Sequence, residues 1–300
     1  MSSMAQPGYT MRMLQNIETA RHQPFSVSVV IPAYNRLPVL DRAFQSVKNQ
    51  TYPIKELILI DDGSTDATSA WVSANCSSVK VIHLSTNRGA AIARNAGVQA
   101  AGGDLIAFLD SDDFWLPTYI SKQVAAISAD YSAVFTYCSQ YRSSSKSYNF
   151  GVKCRPADDN DLLKSMLLCC FIHTMSQVVV RRSAFERVGL FNEQLPMCED
   201  WELYLRLLTL GKPAHLDEEL VVKNWRSDSL AFRDDGDAWL RGFYKGLDLF
   251  YANPASAPYA DLRPVIESSI RKQVAKSLLI FRACVLGQEL PIEERRLLEI

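Results

Sequence analysis

Short apolar segments alternate with helix-patterned segments between residues 26 and 109, and this alternation constrains the fold more than any other feature of the chain. Each apolar segment is five or six residues long and rich in β-branched residues, which is typical of strands buried on both faces of a parallel sheet. Strands that alternate with helices predict a doubly wound α/β layer with right-handed crossovers. The predicted strands are Ser26–Ile31, Glu56–Ile60, Val79–Leu84 and Leu105–Leu109.

The mixed strand and helix pattern continues to residue 230 and then becomes helical. Residues 1–24 show no sustained period and are predicted to form a loose arm. Residues 25–230 are predicted to form one α/β domain with a mixed, mostly parallel sheet flanked by helices, and residues 231–300 a helical C-terminal extension. The other predicted elements are helices Leu40–Gln50, Ala90–Ala101, Tyr119–Ala129, Leu162–Ile172 and Trp201–Leu210, strands Ser132–Tyr137, Ser176–Val180 and Leu220–Trp225, and an exposed excursion over 139–160.

Charge and composition exclude several classes of protein. Lysine and arginine total 32 against 33 acidic residues, so no global electric field favours nucleic acid. No apolar run approaches the roughly 20 residues that span a bilayer, and the first 24 residues lack the apolar centre of a signal peptide. The seven cysteines form no C-x-x-C pair, so neither a zinc site nor a disulfide framework is indicated. We therefore expect a cytoplasmic protein without nucleic-acid partners.

Three aspartates, Asp110, Asp112 and Asp113, follow the fourth predicted strand directly. Ligands of open α/β sheets bind beyond the carboxyl ends of the strands, where these side chains are expected to lie. Packing three carboxylates into four positions costs like-charge repulsion, which a divalent cation would relieve through oxygen ligation. A solvated acidic turn before a helix is the alternative interpretation.

Other strand ends carry side chains that suit a nucleoside diphosphate. Tyr34 could pack against a base, Asp62 could accept a hydrogen bond from it, and Arg88 could lie near phosphate. Asp62 is also a natural turn and helix-entry residue. The glycine-rich fingerprints of nicotinamide enzymes and P-loop ATPases are absent from the sequence. These positions together favour a nucleotide site that uses a metal ion.

The same positions lie in motifs that resemble those of the inverting glycosyltransferases of family 2, which have the Rossmann-like GT-A fold. The resemblance extends over roughly residues 26–230. It implies a transferase that moves a sugar from a nucleotide-sugar donor to a glycan or lipid-linked acceptor in polysaccharide biosynthesis. The matching segments are Val29–Arg36 (VVIPAYNR), Ile60–Asp66 (IDDGSTD), Asn87–Gly89 (NRG), Ala93–Gly97 (ARNAG), Phe108–Asp113 (FLDSDD) and Glu199–Arg206 (EDWELYLR).

The resemblance also assigns roles to individual residues. It implies that Asp112, with Asp110, forms the D-x-D motif that binds Mn²⁺ or Mg²⁺ on the donor diphosphate. It implies that Asp200 is the catalytic base, although Glu199 and Asp200 also suit a helix N-terminus electrostatically. The residues that the resemblance places around the nucleotide are Pro32, Tyr34, Asp62 and Arg88.

Several interpretations stay open at this point. A catalytically inactive nucleotide- or carbohydrate-binding relative and a nucleotidyltransferase are alternatives to the glycosyltransferase. Residues 224–229 lack the histidine common in the family, so Arg226 could contact the diphosphate or form a surface salt bridge. His173 could face the acceptor or be structural. The amphipathic segment 270–282 is expected to pack in the core or in a homodimer, with peripheral contact at the inner face of the plasma membrane as the alternative.

Overall fold

The computed structural model of the protein describes residues 25–75, 79–144, 150–152, 155–225 and 236–284, together with residue 291. The predicted arm 1–24 and the side chain of Arg226 lie outside the described residues. None of the helices in the described ranges is both long and apolar enough to cross a bilayer.

One mixed β-sheet forms the centre of the described part of the chain. The four strands predicted from residue 26 to residue 109 are all present, since their apolar and β-branched sequences suit a buried sheet, although the edge strand Lys80–His83 is only partly buried. The strands are β1 Val27–Ala33, β2 Glu56–Asp61, β3 Lys80–His83, β4 Leu105–Phe108, β5 Phe114–Trp115, β6 Phe135–Ser144, β7 Phe150–Val152, β8 Val178–Arg181 and β9 Ala214–Trp225.

The strands follow the order β3-β2-β1-β4-β8-β6-β9-β5, and β7 pairs with β6. Strands β1 to β4 are parallel, with Val30 of β1 opposite Ile58 and Phe108. Strand β8 runs antiparallel to both β4 and β6, and β9 runs parallel to β6. The carboxyl ends of β1, β2, β4, β6 and β9 and the start of β8 therefore meet at one edge of the sheet.

Helices cover both faces of the sheet. Side chains alternate between the faces, so Val30 and Ile106 enter one hydrophobic core while Val29 and Ala107 enter the other. Helices α1, α2 and α4 cover the second core, and the other helices cover the first. The helices are α1 Leu37–Lys48, α2 Thr68–Asn75, α3 Ala90–Ala100, α4 Tyr119–Ala129, α5 Leu162–Leu168, α6 Arg182–Val188, α7 Glu199–Leu210, α8 Asp237–Tyr251 and α9 Arg263–Cys284.

Several parts of the structure differ from the sequence-based expectation. Strand β6 continues to Ser144, through the first part of the predicted 139–160 excursion, because it pairs with the whole length of β9 across a bulge at Cys138–Gln140. Helix α5 ends at Leu168 instead of Ile172, since Cys169 is extended. The two-residue strand β5 was not predicted because it is too short to show a period.

The C-terminal helices α8 and α9 pack onto α5 and α7 rather than standing apart from the domain. Phe243 and Leu247 of α8 and Ile270 and Val274 of α9 belong to the same hydrophobic core as Val30 of β1. The apolar stripe predicted on segment 270–282 is therefore covered by the protein itself. This arrangement matches the expected core packing and leaves no such stripe to insert into a bilayer.

Candidate active site

The loop after β1 is tied to the loop after β2. Asn35 has a left-handed backbone (φ 52°), and its side-chain oxygen accepts hydrogen bonds from the backbone N–H groups of Thr65 (2.8 Å) and Asp66 (3.2 Å). The Asn35 N–H in turn donates to Ser64 Oγ at 3.0 Å. These bonds hold the preceding residue, Tyr34, at the carboxyl edge, where 39% of its surface is exposed.

Asp62 joins the loop after β2 to the start of α3. Its two carboxylate oxygens accept the backbone N–H groups of Arg88 and Gly89, each at 2.8 Å, and its own N–H donates to the Ala33 carbonyl at 2.8 Å. Burial raises the pKa of Asp62, and the two backbone donors oppose that shift. The Arg88 side chain remains exposed. Asp62 therefore fixes the loop that presents Arg88 at this edge.

Gly63 allows these loops to approach closely. Its φ of +70° is in the left-handed region, and a Cβ there would lie 2.4 Å from the carbonyl carbon of Thr86. Only glycine therefore fits the turn in this conformation.

Asp110 is the most firmly held of the three aspartates. Its Oδ1 accepts from Arg94 Nη2 at 2.7 Å, its Oδ2 accepts from Thr174 Oγ1 at 2.9 Å, and its N–H donates to Ser176 Oγ at 3.0 Å. Burial alone would raise the pKa of Asp110, but the positive charges of Arg94 and Lys223 outweigh it and hold the pKa below its ordinary value. Asp110 is therefore an oriented carboxylate that stays ionised.

Asp113 is buried and faces the polar turn before β8. Its Oδ2 accepts from Ser176 Oγ at 2.7 Å and Thr174 Oγ1 at 3.2 Å, and its Oδ1 accepts from the Asn224 N–H at 3.0 Å. Burial raises its pKa to about 7, with Lys223 opposing the shift. Asp113 thus braces the acidic loop against β8 and β9.

Asp112 lies between these two residues and is half-buried. Burial and the negative charge of Asp110 raise its pKa, while Arg36 and Lys223 oppose the shift. Within the described ranges, no group of three or more His, Cys, Asp and Glu side chains is arranged to hold a metal ion. In this loop, Asp110 and Asp113 already accept hydrogen bonds from groups of the protein.

Asp200 lies in the first turn of α7. Cys198, directly before this helix, has a left-handed backbone (φ 63°), a conformation that non-glycine residues seldom adopt outside functional or strongly supported positions. Asp200 Oδ1 accepts the backbone N–H of Trp201 at 2.7 Å. Burial raises the pKa of Asp200, the charges of Arg94 and Lys223 lower it, and that of Asp110 raises it. A half-buried carboxyl group with a raised pKa is a stronger base than an exposed one.

Comparison with known proteins identifies the family. The model of the family described as glycosyl transferase family 2 matches residues 28–189, which is more than half of the chain. The chain belongs to glycosyl transferase family 2. It is 35% identical over 190 residues to WfaP of Escherichia coli, a UDP-Glc:alpha-D-GlcNAc-diphosphoundecaprenol beta-1,3-glucosyltransferase, and the match covers 62% of this chain and 71% of WfaP.

Solved structures of other proteins show the same fold. TarS of S. aureus (residues 1–349) superimposes with a TM-score of 0.61 at 17% identity, covering 91% of this chain and 77% of TarS. The mannosyltransferase PcManGT of Pyrobaculum calidifontis, solved with GDP-Man and Mn²⁺, also gives a TM-score of 0.61 at 17% identity, covering 93% and 80%. The predictions of a family 2 glycosyltransferase and of the GT-A fold are confirmed.

The structure of this family 2 glycosyltransferase brings the predicted site residues to one edge in two groups. Pro32 lies near the carboxyl end of β1, and Tyr34, Asp62 and Arg88 lie in the adjoining loops after β1, β2 and β3. Asp110, Asp112 and Asp200 lie where β4 ends and α7 begins. His173 is half-buried, and its backbone N–H donates to Gln177 Oε1 at 2.9 Å.

The sequence reasoning missed four polar residues that organise the acidic group. Arg94 bridges Asp110 and Glu199, and an arginine on an alanine-rich, otherwise buried helix was the signal that could have found it. The hydroxyls of Thr174 and Ser176 resembled ordinary polar residues before a strand. Lys223, whose Nζ donates to the His173 carbonyl at 3.1 Å, gave no signal because a single lysine near the end of a strand is common.

Proposed function

We propose that this enzyme is a metal-dependent inverting glycosyltransferase that moves a sugar from a nucleoside-diphosphate donor, with UDP-sugar as the first choice, to a hydroxyl group of a glycan or lipid-linked acceptor. The observation that carries the proposal is the placement of two half-buried carboxyl groups with raised pKa values, Asp112 and Asp200, on separate elements at the same edge of the sheet. Asp112 suits the binding of a cation, and Asp200 suits the role of a general base.

The donor nucleotide would lie on the loops after β1 to β3. The exposed ring of Tyr34 next to Pro32 offers a surface for a base. Each oxygen of Asp62 already accepts one backbone N–H, and the lone pair that remains on each could accept from the imide of uracil. The exposed Arg88 supplies positive charge for phosphate. TarS, which shares the fold, has been solved with UDP and with UDP-GlcNAc.

The carboxylates of Asp112 and Asp110 would hold Mn²⁺ or Mg²⁺. Oxygen donors suit either ion, and Asp112 lies in a region where negative charge raises its pKa, so a cation there is favourable. When bound, such an ion offsets the negative charge of the leaving diphosphate. The hydrogen bonds from Arg94 and Thr174 keep Asp110 ionised and oriented for this purpose.

Asp200 would remove the proton from the acceptor hydroxyl. A positioned general base contributes about 10²- to 10⁴-fold to a rate, and its base strength rises with its pKa. Direct displacement by one activated hydroxyl, with no covalent sugar–enzyme intermediate, inverts the configuration at the anomeric carbon. The N-terminal position of Asp200 on α7 and the bond from the Trp201 N–H hold the carboxylate in one orientation.

The acceptor proposed first is a sugar on a lipid diphosphate. WfaP, at 35% identity, is named for transfer to a diphosphoundecaprenol-linked acceptor. Such an acceptor would place this enzyme in the cytoplasm, peripheral at the inner face of the plasma membrane. Because the apolar stripe of α9 is buried, membrane contact would depend on exposed cations such as Arg271 and Lys272. Homodimer formation remains part of the proposal.

Calorimetric titration of UDP, GDP and dTDP, each with and without Mn²⁺, tests the donor site. We expect one nucleotide to bind in a Mn²⁺-dependent manner, and Asp112→Asn to weaken that binding while the melting temperature is unchanged. Asp261→Asn, an exposed aspartate on the C-terminal segment, is the matched control. If none of the nucleotides binds with or without Mn²⁺, the assignment of the donor site is wrong.

Turnover tests the base. With a UDP-sugar and a GlcNAc-diphosphate-lipid acceptor, Asp200→Asn is expected to retain UDP affinity and to lose about 10²- to 10⁴-fold in transfer rate. The product anomer, assigned by NMR, reports inversion. Full transfer activity in Asp200→Asn, or retention of the anomeric configuration, would show that the proposed mechanism is wrong.

A further inference from the structure

Arg94 makes a buried bridge between the two acidic segments of the site. Its Nη2 donates to Asp110 Oδ1 at 2.7 Å, and its Nη1 donates to Glu199 Oε1 at 2.6 Å. The side chains are 7% (Arg94), 25% (Asp110) and 11% (Glu199) exposed, so solvent screens this network little. The bridge joins Asp110, which follows β4, to Glu199, at the start of α7, and Arg94 itself lies 105 positions before Glu199 in the sequence.

The helix that carries Arg94 is fixed on both sides. Gly97 packs α3 so tightly on β1 that a Cβ would lie 2.3 Å from Val30 Cγ1. Asn95 exchanges two hydrogen bonds with Phe191, donating to its carbonyl at 3.0 Å and accepting its N–H at 2.9 Å. The guanidinium group therefore extends from a rigidly held helix, and the length of the Arg94 side chain sets where the two carboxylates lie.

The shape of the side chain matters here as well as its charge. A guanidinium group is a planar fork that can donate to two acceptors in fixed directions, whereas a lysine ammonium group is a compact point charge. Arg94 Nε is buried without a hydrogen-bond partner, so the orientation of the fork is set by the two carboxylates. Lysine at this position would keep the charge but lose the simultaneous, directional contact with both segments.

We propose that Arg94 is a positioning residue that sets the separation between the donor loop of Asp110 and Asp112 and the base Asp200, and that Glu199 holds Arg94 for this task. The inference rests on the proposed function of Asp112 and Asp200. Asp200 follows Glu199 on the first turn of α7, so a shift of the Glu199 carboxylate moves the base with it. Transfer requires both groups in place together, whereas nucleotide binding uses the donor loop.

The experiment compares Arg94→Lys and Glu199→Gln with the wild-type enzyme. Arg206→Lys is the control, because Arg206 also lies on a helix and forms a two-point pair with Glu202 (2.7 Å for both bonds), at a distance from the site. We expect both site variants to lose about 100-fold in kcat, the loss typical of a small misplacement of reacting groups. Glu199→Gln, which leaves the contact of Arg94 with Asp110 in place, is expected to keep UDP affinity within about threefold. Arg94→Lys, which also changes how Asp110 is held, is expected to weaken Mn²⁺-dependent UDP binding as well. Arg206→Lys is expected to lower the melting temperature without this loss in kcat.

Chemical rescue separates positioning from general stability. Guanidinium at millimolar concentration is expected to restore part of the transfer rate of Arg94→Ala and none in Arg206→Ala. A loss of kcat in Arg94→Lys no larger than that in Arg206→Lys would overturn the inference. If Arg94→Lys does not fold, Glu199→Gln provides the test, because it keeps the size of the side chain. An unchanged kcat in Glu199→Gln would then refute the positioning role of Arg94.

The failure of this inference can be distinguished from that of the proposed function. A wild-type enzyme that transfers no sugar from any donor would refute the proposed function. An active wild-type enzyme with an insensitive Arg94 would refute the positioning role alone.

Discussion

Asp113 is a buried carboxyl group whose ionisation is expected to weaken the fold at neutral pH. It is 2% exposed, and burial raises its pKa from an ordinary 3.8 to about 7. Between these two pKa values the folded protein holds a proton that the unfolded chain has released. Stability attributable to this group therefore falls as the pH rises from about 4 to 7 and beyond. Asp113→Asn removes the titration and with it this loss.

The hydrogen bonds allow the substitution. The amide oxygen of asparagine can accept the Asn224 N–H, as Asp113 Oδ1 does at 3.0 Å, and the amide nitrogen can donate to Ser176 Oγ once that hydroxyl rotates. From pKa values of 3.8 and about 7, the wild-type protein loses about 2–3 kcal/mol of stability between pH 5 and pH 8 through this residue. Asp113→Asn does not lose this stability as the pH rises.

Urea denaturation of both proteins at pH 5 and pH 8 measures the effect, with EDTA present so that metal binding does not contribute. The free energy of unfolding of Asp113→Asn relative to wild type is expected to rise by about 2–3 kcal/mol from pH 5 to pH 8, because titrating groups distant from Asp113 cancel in the comparison. Asp130→Asn, at an exposed loop, is expected to show no such rise. A pH-independent difference for Asp113→Asn would refute the reasoning.

Three further substitutions test the contacts that build the site. Gly97→Ala forces a Cβ to within 2.3 Å of Val30 Cγ1 and is expected to lower the free energy of unfolding by about 1–3 kcal/mol, measured in urea. Asp62→Ala removes the acceptor of two backbone N–H groups and is expected to cost about 2 kcal/mol in stability and to weaken UDP binding, measured by calorimetry. Gly242→Ala places a Cβ 2.6 Å from the Met197 carbonyl oxygen, displaces the segment before α7, and is expected to lower kcat about 10-fold with UDP affinity unchanged. Wild-type values for any of these variants would contradict the corresponding contact.

The sequence predicted the N-terminal half of the fold well because its signals are local. Each strand from β1 to β4 is a short apolar run, and each crossover helix has its own period. The second half depends on pairings that no local period reveals. Strand β6 reaches Ser144 because β9 runs beside it, and β5 exists because Phe114 and Trp115 pair with Val222 and Val221 of β9. These pairings are tertiary and override local preference.

The candidate site shows the same division. Asp62, Asp112 and Asp200 could be predicted because each lies in a recognisable motif at a strand or helix end. The contact of Arg94 with Glu199 could not be predicted, since it joins two motifs 105 residues apart that only the folded chain brings together. Lys223 likewise acts through space, and its charge lowers the pKa values of Asp110 and Asp200.

The balance of charge at this edge gives the arrangement its chemical meaning. Within the described residues, the carboxyl groups of segments 110–113 and 199–200 lie near the cations Arg94 and Lys223. Arg94 pairs with two of these carboxylates, and burial keeps the pKa values of Asp112 and Asp200 raised although nearby cations oppose the shift. Replacing either cation by a neutral residue would raise these pKa values further and bury unpaired negative charge. A bound cation at Asp112 would act in the opposite direction and lower the pKa of that carboxyl group, which is the physical argument for the metal ion in the proposed function.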